Sequence, residues 1–194
     1  MNAVQDRFFI SIEDYLAGEL LADTKHEYCN GRVYAMAAAT KNHQSIIVNV
    51  LAEIRQHLKG TPCRPYGSDV KIKAGQQFFY PDMMVVCTDP SSNPYYTEAP
   101  LLVVEVLSPS TRRTDQTLKR DAYQALPSVQ EYVLIEQDFV DVEVCRRASG
   151  WMSKHYFLGD DVCLESIGLT IAVVEIYRWV ENEEMEAFNS NPAQ

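Results

Sequence analysis

The stretch Leu101-Leu102-Val103-Val104-Glu105-Val106-Leu107 decides how this chain is read. Its apolar residues, closed off by Pro109, are few enough for a strand buried on both faces. Glu105 interrupts it. Burying an ionised carboxylate costs several kcal/mol (about) unless a proton, a cation partner or a metal compensates it. Working outward, Phe78–Cys87 is a second apolar run with the same anomaly, because Tyr80-Pro81-Asp82 lies inside it. Pro81 marks a strand start, a bulge or an edge. Downstream, the polar turn Ser108–Thr114 leads into a predicted helix from about Thr114 to Leu126, packing through Leu118, Ala122 and Ala125. Lys119 then lies at the margin of its buried face, with Asp115 and Tyr123 one turn to either side. Tyr132–Ile135 is a third buried strand. Such a strand–helix–strand unit joins parallel strands.

If the strands bearing Asp82 and Glu105 are neighbours, both carboxylates converge near one end. One or two carboxylates completed by water and phosphate oxygens suit Mg²⁺, with Mn²⁺ as a substitute. Such a metal activates water for in-line attack on a phosphodiester, and a nearby ammonium steadies the charge that develops. The same residues also fit a buried Glu105–Lys119 ion pair, with Asp82 capping the turn after Pro81. The residues alone do not choose between these readings. From the residues alone Glu27 reads first as a solvated rung, His43 as a core histidine, and Asp69 and Lys71 as a solvated strand face.

The remaining chain supplies a scaffold. Ser11 is positioned to cap a helix over Ile12–Glu19. Asn30-Gly31 between Glu27-Tyr28-Cys29 and Arg32-Val33-Tyr34 predicts a tight hairpin with Glu27 opposite Tyr34. Ile47, Val50, Ile54 and Leu58 form the stripe of a helix from about Asn42 to Leu58, stopped by Gly60 and Pro62. Arg64–Ala74 reads as one or two strands and Thr88–Pro100 as a loop. Val140–Cys145 and Trp151–Phe157 form a second hairpin, and Val162–Tyr177 holds a short strand and a terminal helix.

With 194 residues and 46% hydrophobic content, the chain suits one folded domain over residues 1–180, followed by an acidic tail, 181–194, expected to fray. No run is long enough to span a bilayer. Five scattered cysteines without a CxxC pair read as free thiols in a reducing cytoplasm. The net charge of −10 weighs against binding nucleic acid. Its distribution is uneven, however: Arg112, Arg113, Lys119 and Arg120 cluster, and Arg64, Lys71 and Lys73 lie on a neighbouring segment.

The order Glu27…Asn30-Gly31, His43, Pro81-Asp82, Val104-Glu105-Val106-Leu107-Ser108-Pro109-Ser110-Thr111, Asp115, Lys119, Tyr123, Glu131-Tyr132 resembles the Uma2 family of endonucleases, within the PD-(D/E)XK superfamily. The resemblance spans about Glu13 to Tyr177. It implies an α/β, restriction-endonuclease-like fold: a mixed central β-sheet flanked by helices, with additional antiparallel hairpins. It further implies a Mg²⁺-dependent endonuclease acting on DNA. Asp82, Glu105 and the Val106 carbonyl would hold the metal, and Lys119 would be the catalytic lysine. Glu27 would be a further acid, with His43, Asp115 and Tyr123 behind these groups and Arg112, Arg113 and Lys71 as phosphate contacts. The superfamily lysine falls two residues after the glutamate. Here that position is Leu107, so Lys119 on the next helix takes its place. A homodimer is expected, since cutting two strands calls for two sites. The alternative is a catalytically inactive protein of the same fold that binds or assembles on nucleic acid. A carboxylate-pair glycosidase is disfavoured, because it gains nothing from the helical lysine.

Overall fold

The computed structural model describes residues 9–91 and 93–190. Its backbone is a mixed α/β arrangement with two large sheets. The first has the order β2-β1-β5-β4-β7, built from β1 (His26–Cys29), β2 (Arg32–Ala35), β4 (Lys71–Ala74), β5 (Gln77–Phe79) and β7 (Tyr96–Thr97). The second has the order β11-β10-β9-β8-β6-β3, built from β3 (Arg64–Gly67), β6 (Met83–Val86), β8 (Leu102–Leu107), β9 (Glu131–Glu136), β10 (Val142–Arg146) and β11 (Ser153–Tyr156). A separate ribbon pairs β12 (Asp161–Leu164) with β13 (Leu169–Ala172). β8 and β9 are parallel, as the strand–helix–strand reading requires, while β6 pairs antiparallel to β8.

All six residues of β8 are buried. Each of its five apolar side chains contributes about 1.5–3 kcal/mol on burial. Together they outweigh the several kcal/mol (roughly) that one buried carboxylate costs. The strand therefore stays inside and takes Glu105 with it.

The run Phe78–Cys87 does not form one strand. It breaks at Tyr80-Pro81-Asp82, leaving β5 in the first sheet and β6 in the second. Pro81 has no N–H to give a ladder, and the chain turns from one sheet to the other there. Arg64–Ala74 divides in the same way, into β3 and β4.

Local signals hold where the residues act alone. Ser11 Oγ accepts the Asp14 N–H at 3.0 Å and starts α1 (Ile12–Glu19). Thr40 Oγ1 accepts the His43 N–H at 3.1 Å and starts α2 (Lys41–His57), whose Ile46, Ile47, Val50 and Ile54 enter the main core. Asn30 and Gly31, with φ of 49° and 87°, make the tight turn between β1 and β2, and Glu27 pairs with Tyr34.

Several expectations are corrected. The helix after β8 is not a plain amphipathic helix: α3 (Arg112–Thr114) and α4 (Arg120–Ala125) flank a π-helical turn, Asp115–Lys119. Leu118 is 37% exposed and Ala125 is also exposed, whereas Asp115, Lys119 and Tyr123 form the buried line. The acidic tail contains a helix. α5 (Val173–Ile176) is followed by α6 (Glu183–Ser190), which buries Met185 in the main core and is capped by Asn182 at 2.9 Å. Residues 191–194 of that tail lie outside the described residues. Cys63 and Cys87 form a disulfide, because the β3–β6 register carries the residues beside Arg64 and Val86 to the same place. Only Cys29, Cys145 and Cys163 are free thiols, so the cysteines no longer argue for a reducing compartment. Among the described residues no helix is long and apolar enough to cross a membrane.

Candidate active site

The corner Tyr80-Pro81-Asp82 gathers the site. The Tyr80 N–H donates to Glu27 Oε1 at 3.1 Å, reaching into the first sheet. The Asp82 N–H donates to Glu105 Oε2 at 3.2 Å, reaching into the second. Asp82 Oδ2 in turn accepts the Val106 N–H at 2.8 Å. Two backbone donors on either side of a proline thus hold glutamates from different sheets against one another.

From the opposite side the π-helical turn delivers Lys119. Its Nζ lies 2.9 Å from Glu27 Oε1, 3.2 Å from Glu105 Oε1 and 3.2 Å from Asp115 Oδ1. A π turn is wider than an α turn and recurs at functional sites. Here it keeps Asp115 and Lys119 on one side, so that both point at the sheets while Leu118 is turned out. The Tyr123 hydroxyl donates to Glu105 Oε1 at 3.1 Å, and the Tyr132 hydroxyl holds the Asp115 carbonyl at 3.0 Å. His43 Nε2 approaches Asp82 Oδ2 at 3.3 Å from the first turn of α2. The predicted residues Asp82, Glu105, Val106, Lys119, Glu27, Asp115, Tyr123 and His43 therefore converge.

Three carboxylates share one ammonium, with Asp82 beside them against His43, and the electrostatics follow from that crowding. Burial pushes Glu105 well above the usual carboxylate range; Lys119 opposes this, and Asp115, Asp82 and Glu27 reinforce it. Burial likewise raises Glu27 and Asp115, again against the pull of Lys119. For Lys119, burial alone would lower the pKa, but Glu105, Glu27 and Asp115 more than offset it and hold the ammonium charged. For His43, burial lowers the pKa, but Asp82, the Val106 backbone and Asp115 together more than offset it, giving a net upward shift. His43 Nδ1 and Asp115 Oδ1 are buried without a hydrogen-bond partner. The Lys119 ammonium is within ion-pair distance of the latter but is not aligned to donate to it.

Among the described residues no set of three or more His, Cys, Asp or Glu side chains is arranged as a ready-made metal cage. The donors still fit a hard cation of the Mg²⁺ type. Such a cation takes one or two carboxylates and keeps several waters, and the carboxyls gathered here outnumber the cationic groups beside them.

The phosphate contacts proposed from sequence fare unevenly. Lys71 is 3% exposed and donates to the Tyr80 hydroxyl at 3.1 Å, and burial lowers its pKa. It is buried against Tyr80 at the corner and presents almost no surface to solvent. Arg112 is engaged by Glu136 and Asp138. Arg113 is exposed.

Glu19 was not visible as a site residue. Its Oε1 accepts the His26 N–H at 2.8 Å and the Tyr80 hydroxyl at 3.1 Å, bracing both β1 and the corner. A glutamate closing a short helix carries no sequence signal of that role.

Comparison with known proteins gives the family and the fold. Residues 12–173 match a family model described as "Uma2: Putative restriction endonuclease". Two relatives come from Synechocystis sp. (strain ATCC 27184 / PCC 6803 / Kazusa). "Uncharacterized protein slr1290" is 38% identical over 175 residues, covering 87% of this chain and 92% of the relative. "Uncharacterized protein sll1609" is 29% identical over 148 residues, covering 74% of this chain and 84% of the relative. The backbone superposes on a crystal structure from Anabaena variabilis ATCC 29413, described as "a putative nuclease belonging to DUF820". That match has a TM-score of 0.74 at 19% identity and covers 89% of this chain and 99% of the other. On the strength of the family match and the 38% identical relative, the chain belongs to the Uma2 family.

Proposed function

We propose that this protein is a Mg²⁺-dependent endonuclease that hydrolyses phosphodiester bonds in DNA. One observation carries the reading: Glu105, Glu27 and Asp115 converge on a single Lys119 ammonium, with Asp82 joined to Glu105 through its backbone N–H, so the carboxyls outnumber the cations and a divalent ion would balance them once ionised. Asp82, Glu105 and the Val106 carbonyl would hold the ion. When bound, the ion supplies an activated water and charge neutralisation at the phosphorus oxygens. Lys119 stays protonated, so it acts as a donor toward a phosphate oxygen and not as the base. Glu27 fixes the direction of its ammonium, Tyr123 steadies Glu105, and His43 steadies Asp82. Supporting residues of this kind are worth about 10- to 100-fold in metal affinity or activity.

The test is cleavage of a panel of DNA substrates with Mg²⁺ or Mn²⁺ by the wild type, Asp82→Ala and Glu105→Ala. Equal activity in all three would remove the site from the mechanism. Two copies acting together would let one site per chain cut both strands, and sedimentation with and without duplex DNA reads this out.

A non-catalytic role on nucleic acid draws on a different observation. The Lys119 ammonium is already within reach of three carboxylates, and the chain carries a net charge of −10. On that reading calorimetry detects no saturable Mn²⁺ uptake that Glu105→Ala abolishes.

A further inference from the structure

β2 is a four-residue edge strand, and all four of its residues are exposed. Successive strand residues face opposite ways. Tyr28 packs with Tyr15 and Phe78 on one face of the sheet, so Glu27 and Cys29 occupy the other, which carries Glu27 to Lys119. The register pairs Tyr34 with Glu27 and Arg32 with Cys29. Directly paired residues share a face, with Cβ atoms about 5 Å apart. Tyr34 and Arg32 therefore stand on the site's side of the sheet, one strand further out than Glu27. The Tyr34 ring is 52% exposed. Lys25, Lys73, Arg112 and Arg120 are each ion-paired, whereas Arg32 forms no ion pair among the described residues.

We propose that Tyr34 and Arg32 form a platform for single-stranded nucleic acid: Tyr34 stacks on an unpaired base beside the scissile phosphate, and Arg32 contacts the backbone. An aromatic face accepts any base, and an arginine nearby adds a phosphate contact. The platform also suits an acidic protein. Stacking needs no net positive charge, and one or two cations give only a shallow salt dependence. A partner strand from a second copy is the other occupant an edge can take, but β2 is short and carries a charge, features that blunt edge pairing.

The platform's location beside a cutting site rests on the nuclease reading, so the test is binding in EDTA, where nothing is cut. Fluorescence anisotropy compares a labelled single strand with its duplex for the wild type, Tyr34→Ala, Tyr34→Phe and Arg32→Ala. Tyr34→Ala is expected to weaken single-strand binding by about 5- to 150-fold, with duplex binding unchanged and Tyr34→Phe close to wild type. Arg32→Ala should lower the slope of log K against log salt by about 0.7. The proposal is overturned if Tyr34→Ala binds single strands normally or loses both forms equally. It is also overturned if the wild type binds no single strand, or if Tyr34→Ala changes only the oligomeric state. Intact stacking in a wild type that cuts nothing would refute the nuclease reading and leave this one standing.

Discussion

Two buried charge clusters share the second sheet, and they are built differently. At the start of β9, Glu131 accepts Arg146 Nε at 3.0 Å, the Glu165 N–H at 3.0 Å and the Ser166 N–H at 2.8 Å. Arg146 also donates to the Tyr156 hydroxyl at 3.2 Å and to the Cys163 carbonyl. One buried carboxylate meets one cation, and its remaining lone pairs meet backbone donors, so β9, β10 and the β12–β13 ribbon are tied together. At the far side of the crossover, Glu105 competes with Glu27 and Asp115 for one ammonium, and two buried polar atoms have no hydrogen bond. In the first cluster the one buried carboxylate is matched by a guanidinium, although the Ser166 hydroxyl beside it lacks a hydrogen bond and Arg146 also meets the exposed Glu165. The second gathers three buried carboxyls on one ammonium, and that imbalance separates a candidate site from an internal brace.

Variants can break this contrast. The largest expected effect is on cleavage: Asp82→Ala or Glu105→Ala should lower the rate by at least ~1,000-fold, since a metal supplies several kcal/mol of transition-state stabilisation. Glu131→Ala should do the opposite, sparing cleavage below its melting temperature. Stranding the Arg146 guanidinium should cost that variant about 3–5 kcal/mol in urea unfolding. Glu105→Ala should cost less stability than Glu131→Ala, because it also relieves repulsion among the remaining acids. If the two lose stability equally, the contrast fails.

Next in size, His43→Ala should reduce Mn²⁺ affinity or activity by about 10- to 100-fold, read by calorimetry and initial rates. The pH response follows from the raised carboxyls. Glu105, Glu27 and Asp115 hold protons more tightly folded than unfolded. Their contribution to stability is therefore present below the unfolded carboxylate range and is lost as pH rises through their raised folded values. Lys119, also raised, keeps its contribution until pH exceeds the ordinary lysine range. Metal-free wild type should accordingly show a melting temperature that declines from about pH 4.5 upward, more steeply than Glu105→Gln. Parallel profiles would mean that Glu105 does not hold its proton in the fold. Smallest of all, Leu118→Ser should move stability by less than ~0.5 kcal/mol, as an exposed position does. A core-sized loss would put Leu118 back inside and undo the π-helical turn.

Local chemistry carried much of this in the sequence. Ser11 and Asn30-Gly31 acted as written, because a cap and a tight turn are closed by atoms a few residues apart. Glu105 was legible as an anomaly because a strand buried on both faces offers a carboxylate no water. The helix was misjudged at Leu118 because the apolar stripe was taken as the buried face, whereas partners on the sheets draw in the polar line Asp115, Lys119 and Tyr123. Lys71 read as solvated because alternation says nothing about the Tyr80 side chain that covers it. The Cys63–Cys87 pairing needed the β3–β6 register, and Met185 needed a core distant in sequence to dock against.

The sequence by itself therefore determined which residues were misplaced: two carboxylates in apolar runs and a lysine on the helix that follows. It also determined the first hairpin, the long helix and the strand–helix–strand unit, because burial, capping and turn geometry are short-range, but not β7 or the β12–β13 ribbon. Only the tertiary structure decided that Glu27 and Asp115 compete for the same ammonium. It also turned Pro81 into the corner between two sheets and brought Tyr34 alongside the site. Those outcomes depend on contacts between segments dozens of residues apart, where energies are set by who is left without a partner, and no local pattern encodes that.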